Sequence, residues 1–172
     1  LDIKDFEGVG AVIHLAGESL GSRRWSAGKK KRIRDSRGHG TRFLSESLAL
    51  APHPPKVLVS ASAIGYYGNR GVEELNEDSG SGVGFLSKVC LDWEAATQSA
   101  REAGIRVGNL RIGLVLSRKG GVLAELLPIF RAGAGGTVGS GKQYVSWVAM
   151  DDLLSVIQFV LGNNKTEGPV NA

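Results

Sequence analysis

"VLVSASAIGYYG", residues 57–68, opens with strand-forming residues and closes on two tyrosines and a glycine. Its first four residues, two valines and a leucine beside a serine, predict a buried strand. The small and hydroxylated residues that follow predict a loop leaving that strand. In a parallel α/β sheet, the loop at the carboxyl end of a strand is where ligands bind. Ser60, Ser62, Tyr66 and Tyr67 are therefore candidates to contact a ligand, to react with it, or simply to pack.

On either side of this stretch, strand and helix patterns alternate. "AVIHLAG" (11–17) predicts a strand ending in small residues, and a basic helix is expected from about 26 to 50, packed through its second half at Phe43, Leu44, Leu48 and Leu50. "APHPP" stops that helix. A glycine- and acid-rich loop (68–83) leads to one helix over about 84–104 with Trp93 on its apolar side, then a strand over 105–117 and a helix over 120–133. "AGAGGTVGSGKQYVSW" is glycine-rich before it turns strand-like; Asp151 or Asp152 is expected to cap "DDLLSVIQFVLG", and "GPVNA" reads as a final strand. This βαβ spacing predicts an α/β fold, a doubly wound parallel sheet with helices on both faces.

A chain of 172 residues with 42% hydrophobic and 22% charged residues has the composition of an ordinary globular domain. Its single cysteine, Cys90, allows no internal disulfide, and three scattered histidines (His14, His39, His53) argue against a metal centre. No apolar run approaches membrane-spanning length and no signal peptide opens the chain, so a soluble cytoplasmic protein away from membranes is expected. The net charge of +4 is uneven: residues 22–42 hold nine basic side chains, Arg23, Arg24 and Trp25's neighbours among them, against Asp35 alone. Any anion-binding role of basic residues would fall there, although a run of charge usually marks a solvated helix face.

With these segments placed, the sequence resembles the extended short-chain dehydrogenase/reductase superfamily, and within it the sugar-nucleotide-epimerase-like (NAD-dependent epimerase/dehydratase) subfamily. "VIHLAGESL", "DSRGHGTRFL", "VLVSASAIGYYG", "GFLSKVCLDWEAA", "RIGLVLSRKGGVL", "GSGKQYVSWVAMDDL" and "GPVNA" fall in that subfamily's order and cover nearly the whole chain. The resemblance implies a single NAD(P)-binding Rossmann-like epimerase domain over 1–172 and a nicotinamide cofactor, NADP with NAD as the alternative. No glycine-rich phosphate fingerprint is present, so the first βαβ unit is expected to lie upstream and the chain to be truncated at both ends.

The resemblance also assigns site residues. "HLAG" matches the loop where small residues let the backbone approach the cofactor, which implies roles for Leu15, Ala16, Gly17 and Glu18. Ser60 and Ala61 at the end of the next strand, and Ile112, Gly113 and Leu114 in "RIGLVL", are implied on the same cofactor. Lys142 and Gln143 lie where relatives hold the substrate's distal group. Dehydrogenases of the superfamily use a tyrosine acid/base with a lysine four residues later, because free tyrosine titrates near 10 and needs a cation nearby. No such pair exists here: Arg70 follows Tyr66, Gly71 follows Tyr67 and Val148 follows Tyr144 at that spacing. If Glu94 is matched to the family's helix glutamate, Leu86 and Cys90 stand in for the tyrosine and lysine; if Lys88 is matched to the lysine instead, Gly84 takes the tyrosine's place, and neither register supplies the pair. Ser62, four residues before Tyr66, is the candidate substrate-orienting hydroxyl, with Tyr66 and Tyr67 as candidates for a relocated acid. Arg111 is expected in a buried ion pair with an acid on the Glu94 helix.

Three readings follow. The first is an NADP-binding, epimerase-like oxidoreductase acting on a small molecule, with a sugar nucleotide as the candidate, without the usual proton relay. The second is a non-catalytic dinucleotide-binding sensor or scaffold. The third, a nucleic-acid binder using residues 22–42, is disfavoured because only Trp25 interleaves with the basic run. Composition and motifs leave the oligomeric state open.

Overall fold

The computed structural model describes residues 3–21, 24–137 and 139–172. Four strands, β1 (Ala11–His14), β2 (Val57–Ala63), β3 (Arg106–Ile112) and β6 (Gly168–Asn171), form a wholly parallel sheet in the order β1-β2-β3-β6. Helices α1 (Ala27–Ala49), α2 (Phe85–Ala95) and α3 (Gln98–Glu102) join these strands and include those that cover one face; α5 (Met150–Gly162) covers the other. This is the doubly wound Rossmann-like arrangement expected from the alternation.

The register assigns each strand residue to a face. Val12, Leu58 and Val107 share one row, His14, Ser60 and Asn109 the next but one, and Ser62 and Arg111 the row after that with Asn171 of β6. Because side chains alternate, all of these point to the side carrying α1–α3. That face therefore runs from apolar, where Leu58 and Val107 pack with Leu48, Ala100 and Ile105, to polar at the carboxyl end. The opposite face stays apolar: Val57, Val59 and Leu110 pack against Leu153, Ile157 and Val160 of α5. Gly108 is required there, since a Cβ would lie 2.7 Å from Val160 Cγ1.

Several elements depart from the sequence expectation for identifiable reasons. The helix expected over 84–104 is two helices, because Thr97 Oγ donates to the Glu94 carbonyl (2.7 Å) and competes for the acceptor that would continue α2. The strand expected over 105–117 ends at Ile112; Gly113 N donates to Ala172 O (2.6 Å), then Leu114 N to Ser146 O (2.9 Å), and the chain changes sheets. There β4 (Leu114–Leu116) pairs in parallel with β5 (Trp147–Ala149). Asp151 and Asp152 lie in the first turn of α5 rather than at its cap, Ala149. In α1 the buried residues Ile33, Gly38, Thr41, Ser45 and Leu48 recur at steps of about one turn, while Phe43 and Leu50 are exposed. Between β4 and β5 lies α4 (Gly121–Arg131), which buries none of its residues.

Candidate functional site

The carboxyl ends of β1, β2 and β3 bring three of the sequence-marked segments to one edge of the sheet. After β1, Leu15, Ala16 and Gly17 form an exposed ledge, with Glu18 half-buried behind it. After β2, residues 64–67 form a 3-10 turn carrying Tyr66 and Tyr67. After β3, Ile112 and Gly113 are half-buried and Leu114 is exposed on β4. Ser60 and Ala61 lie inside the sheet and present almost no surface to a ligand: Ser60 is fully buried. Lys142 and Gln143 sit on an exposed segment after Gly141, with Lys142 N donating to Ser140 Oγ (3.3 Å).

The polar end of the sheet face is knitted into one network. Arg111 donates from Nε to Glu94 Oε1 (2.9 Å) and from Nη2 to Glu94 Oε2 (3.0 Å), a bidentate pair with Arg111 only 3% exposed. Ser62 Oγ donates to the same Oε1 (2.7 Å). Arg111 Nη1 donates to Tyr67 Oη (2.9 Å) and to the Glu77 carbonyl (3.1 Å), while Tyr67 Oη donates to Asn171 Oδ1 (2.7 Å). Asn171 N in turn donates to Glu77 Oε1 (2.8 Å), which ties the 68–83 loop to β6. Burial works against the charge on Arg111, but its bonds to Glu94 and Tyr67 and the Glu94 charge outweigh it and raise its pKa. The buried ion pair expected for Arg111 is present.

This network separates the three candidate hydroxyls. Ser62 is 2% exposed with its proton on Glu94, so its oxygen can accept a hydrogen bond but cannot donate one without breaking that contact. The Tyr67 hydroxyl is buried between Arg111 and Asn171. Tyr66 differs: its ring lies 3.5 Å beneath the Arg111 guanidinium, it is half-buried, and its hydroxyl has no hydrogen-bond partner among the described residues. A cation thus does stand beside these tyrosines, supplied by β3 and not by a lysine four residues on. Cys90, the residue at the lysine position when Glu94 is matched to the family's helix glutamate, is buried on α2, and burial pushes its thiol up to about 11. Lys88 is exposed on α2.

Two further residues were marked only as part of the basic run. Arg37 lies behind the ledge, stacked over Trp93 at 5.0 Å, and Ser36 accepts from the Glu18 amide. The signal for Arg37 is its place midway between Ile33 and Thr41, on the buried row of α1, where an arginine is out of keeping. Arg23 lies outside the described residues. Trp25 donates to the Leu20 carbonyl (3.2 Å) and packs edge-on against Phe85.

The pattern of the NAD dependent epimerase/dehydratase family matches residues 2–172. The chain belongs to that family. It is 42% identical over 163 residues to an epimerase family protein of Mycobacterium bovis, covering 95% of this chain and 54% of the relative. It is 35% identical over 164 residues to epimerase family protein SDR39U1 of Homo sapiens, covering 94% and 56%. The crystal structure of the human epimerase family protein SDR39U1 (isoform 2) with NADPH matches with a TM-score of 0.89 at 31% identity, over 100% of this chain and 61% of that one. A nucleoside-diphosphate sugar epimerase from Corynebacterium glutamicum matches with a TM-score of 0.87 at 39% identity, over 99% of this chain and 35% of that one. The chain spans about half the length of the curated relatives it matches. Among the described residues, no helix is long and apolar enough to cross a membrane.

Proposed function

We propose that residues 1–172 form one dinucleotide-binding domain of an NADP-dependent, epimerase-like oxidoreductase of the cytoplasm, and that the cofactor lies along the carboxyl edge of the sheet. The observation that carries this reading is the exposed small-residue ledge Leu15–Gly17 at the end of β1, in a chain 31% identical to a human protein solved with NADPH. The residues present fit such a group: the ledge is open, carries no bulky side chain after Leu15, and has a guanidinium, Arg37, behind it as a counter-charge. Leu15, Ala16, Gly17 and Glu18 would hold one part of the dinucleotide, and Ile112, Gly113 and Leu114 would border the other. A bound nicotinamide supplies or accepts hydride.

The chain's own residues would then orient a substrate carbonyl or alcohol. Ser62 would accept from a substrate hydroxyl while its own proton stays on the Glu94 carboxylate, and Tyr66, whose ring lies under the Arg111 guanidinium and whose hydroxyl has no partner among the described residues, is the group we assign to donate. A sugar nucleotide is the substrate class we favour, because the 39%-identical bacterial relative is described as a nucleoside-diphosphate sugar epimerase; Lys142 and Gln143 would meet its distal, anionic end. A second reading, a dinucleotide-binding protein that does not turn over, is favoured by the full engagement of Ser62 and Tyr67 and by Leu86 and Cys90 at the relay positions.

Calorimetry of the full-length protein with NADPH and NADH, with mass spectrometry of small molecules released on denaturation, tests the reading. Tighter binding of NADPH is expected, and absence of binding to either would overturn it. Hydride transfer by Ser62→Ala and Tyr66→Phe separates the two readings. A positioned acid/base group contributes roughly 100- to 10,000-fold, so a loss of that size in either variant establishes catalysis. Firm NADPH binding with no turnover of any carbonyl compound establishes the second reading.

A further inference from the structure

The ledge is exposed, yet Glu18, which follows it, is held at its amide, its carbonyl and its carboxylate. The Glu18 amide donates to Ser36 Oγ (2.9 Å), and the Glu18 carbonyl accepts from Arg37 Nη1 (3.0 Å). Its carboxylate accepts from Lys29 Nζ (2.8 Å) and Arg32 Nε (3.2 Å). All four partners lie on α1, within two turns of one another. Ser36 and Arg37 are themselves tied back to the Ile33 carbonyl (3.1 and 3.4 Å), and Arg37 rests on the Trp93 ring of α2. The guanidinium lies flat against Gly17: a Cβ there would stand 3.2 Å from its central carbon and 3.3 and 3.4 Å from its two terminal nitrogens. Gly17 is thus small on the side facing its own helix, whatever lies on the other side.

These contacts assign a purpose to charges that the sequence marked only as a basic run. We propose that Arg37, assisted by Ser36, is a positioning residue that fixes the Gly17–Glu18 backbone in the conformation a dinucleotide requires; this rests on the cofactor reading above. A flexible loop would have to be ordered when ligand binds, and ordering a residue's backbone opposes affinity. The clamp removes that cost beforehand. The two kinds of partner divide the work: Lys29 and Arg32 act on a side chain and are salt-sensitive, whereas Ser36 and Arg37 act on the backbone that forms the ledge.

The test uses the full-length protein with Arg37→Gln, Arg37→Lys and Ser36→Ala, read by NADPH affinity, thermal midpoint, and amide exchange at Gly17 and Glu18. A hydrogen bond from a charged group contributes about a tenfold factor or more in an equilibrium. Arg37→Gln is therefore expected to weaken NADPH binding about tenfold and to speed exchange at Gly17 and Glu18, leaving the Ser62 and Asn109 amides as protected as before. Arg37→Lys keeps the charge without the planar fork and should recover little; Ser36→Ala should accelerate the Glu18 amide most. Faster exchange with unchanged NADPH affinity would overturn the positioning role, and unchanged exchange would overturn the clamp itself. If Arg37→Gln does not fold, Ser36→Ala carries the same two readouts. Failure of the unsubstituted protein to bind either dinucleotide sinks the cofactor reading, and with it the functional role of the clamp, while the exchange data still report on its existence.

Discussion

Arg111 uses all three of its nitrogens inside the protein, and what happens when one partner is removed separates structure from catalysis. Glu94→Gln leaves a buried guanidinium without its counter-charge. Breaking one partner of a buried pair costs about 3–5 kcal/mol, since the remaining charge stays desolvated. Tyr67→Phe leaves Asn171 Oδ1 and one Arg111 N–H without their shared hydroxyl, which should cost about 1–3 kcal/mol. Tyr66→Phe removes a hydroxyl that bonds to nothing among the described residues, and is expected to stay within about 0.5 kcal/mol of the parent. Urea midpoints check all three. Equal destabilisation by the two tyrosine variants would show that Tyr66 is held by contacts that the structure does not contain. The Arg111–Glu94 pair was legible in the sequence, because an arginine near the carboxyl end of a buried, largely apolar strand needs an acid opposite it. Tyr67's part in it was not, because its partner Asn171 lies 104 residues away and only the sheet register brings them together.

The elements were legible where one local pattern governed them and obscure where a partner from elsewhere did. The apolar run at 57–60 made the start of β2 legible, but Ala61–Ala63, which read locally as loop, continue the strand because they pair with Leu110–Ile112, and nothing local at Gly113 announces that the chain leaves β6 for β5. The 68–83 loop shows the same dependence. It returns against the 3-10 turn at Gly82, whose amide donates to the Tyr66 carbonyl (2.9 Å), and Ser87 Oγ donates to that carbonyl (2.7 Å) and to the Gly82 carbonyl (2.8 Å). A Cβ on Gly82 would fall 2.0 Å from the Tyr67 carbonyl oxygen and 2.9 Å from Gly68 Cα, both backbone atoms that cannot swing aside. Gly82→Ala should therefore cost about 3 kcal/mol, the upper end for overpacking, and should loosen the tyrosine-bearing turn. Gly80→Ala, with nothing within 4 Å of the added carbon, is the control and should be near neutral. Denaturation midpoints of the two variants decide it: similar values would mean that the loop can shift without disturbing the turn.

Taken as a whole, the molecule holds two titratable groups in their neutral forms, and together they set a window of maximal stability. His14, at the end of β1, shares a hydrogen bond with Thr41 on α1 (3.0 Å), and burial lowers its pKa from the ordinary 6.5. As pH falls through that value the unfolded chain takes up a proton before the folded one does, so stability drops with falling pH. Cys90 acts in the opposite sense. Burial, and then the nearby Glu94 charge, push its thiol up to about 11 from 9.0, so as pH rises above 9 the unfolded chain loses a proton that the folded one keeps. Each unit of that gap is worth about 1.4 kcal/mol, giving roughly 2–3 kcal/mol lost by the time the folded thiol itself ionises. Carboxylates paired in the fold, Glu18 with Lys29 and Arg32, and Glu73 with Arg70, have lowered pKa values and add to the acid limb at lower pH. Unfolding free energy measured between pH 5 and 10.5 should accordingly be greatest between about 6.5 and 9 and fall on both sides. His14→Gln should flatten the fall between pH 6.5 and 5, and Cys90→Ala the fall between 9 and 10.5, each leaving the other limb in place. An alkaline limb as steep in Cys90→Ala as in the parent would show that the thiol reaches solvent and ionises in the native state, which would also undo the reading of Cys90 as a buried, inert replacement at the relay position.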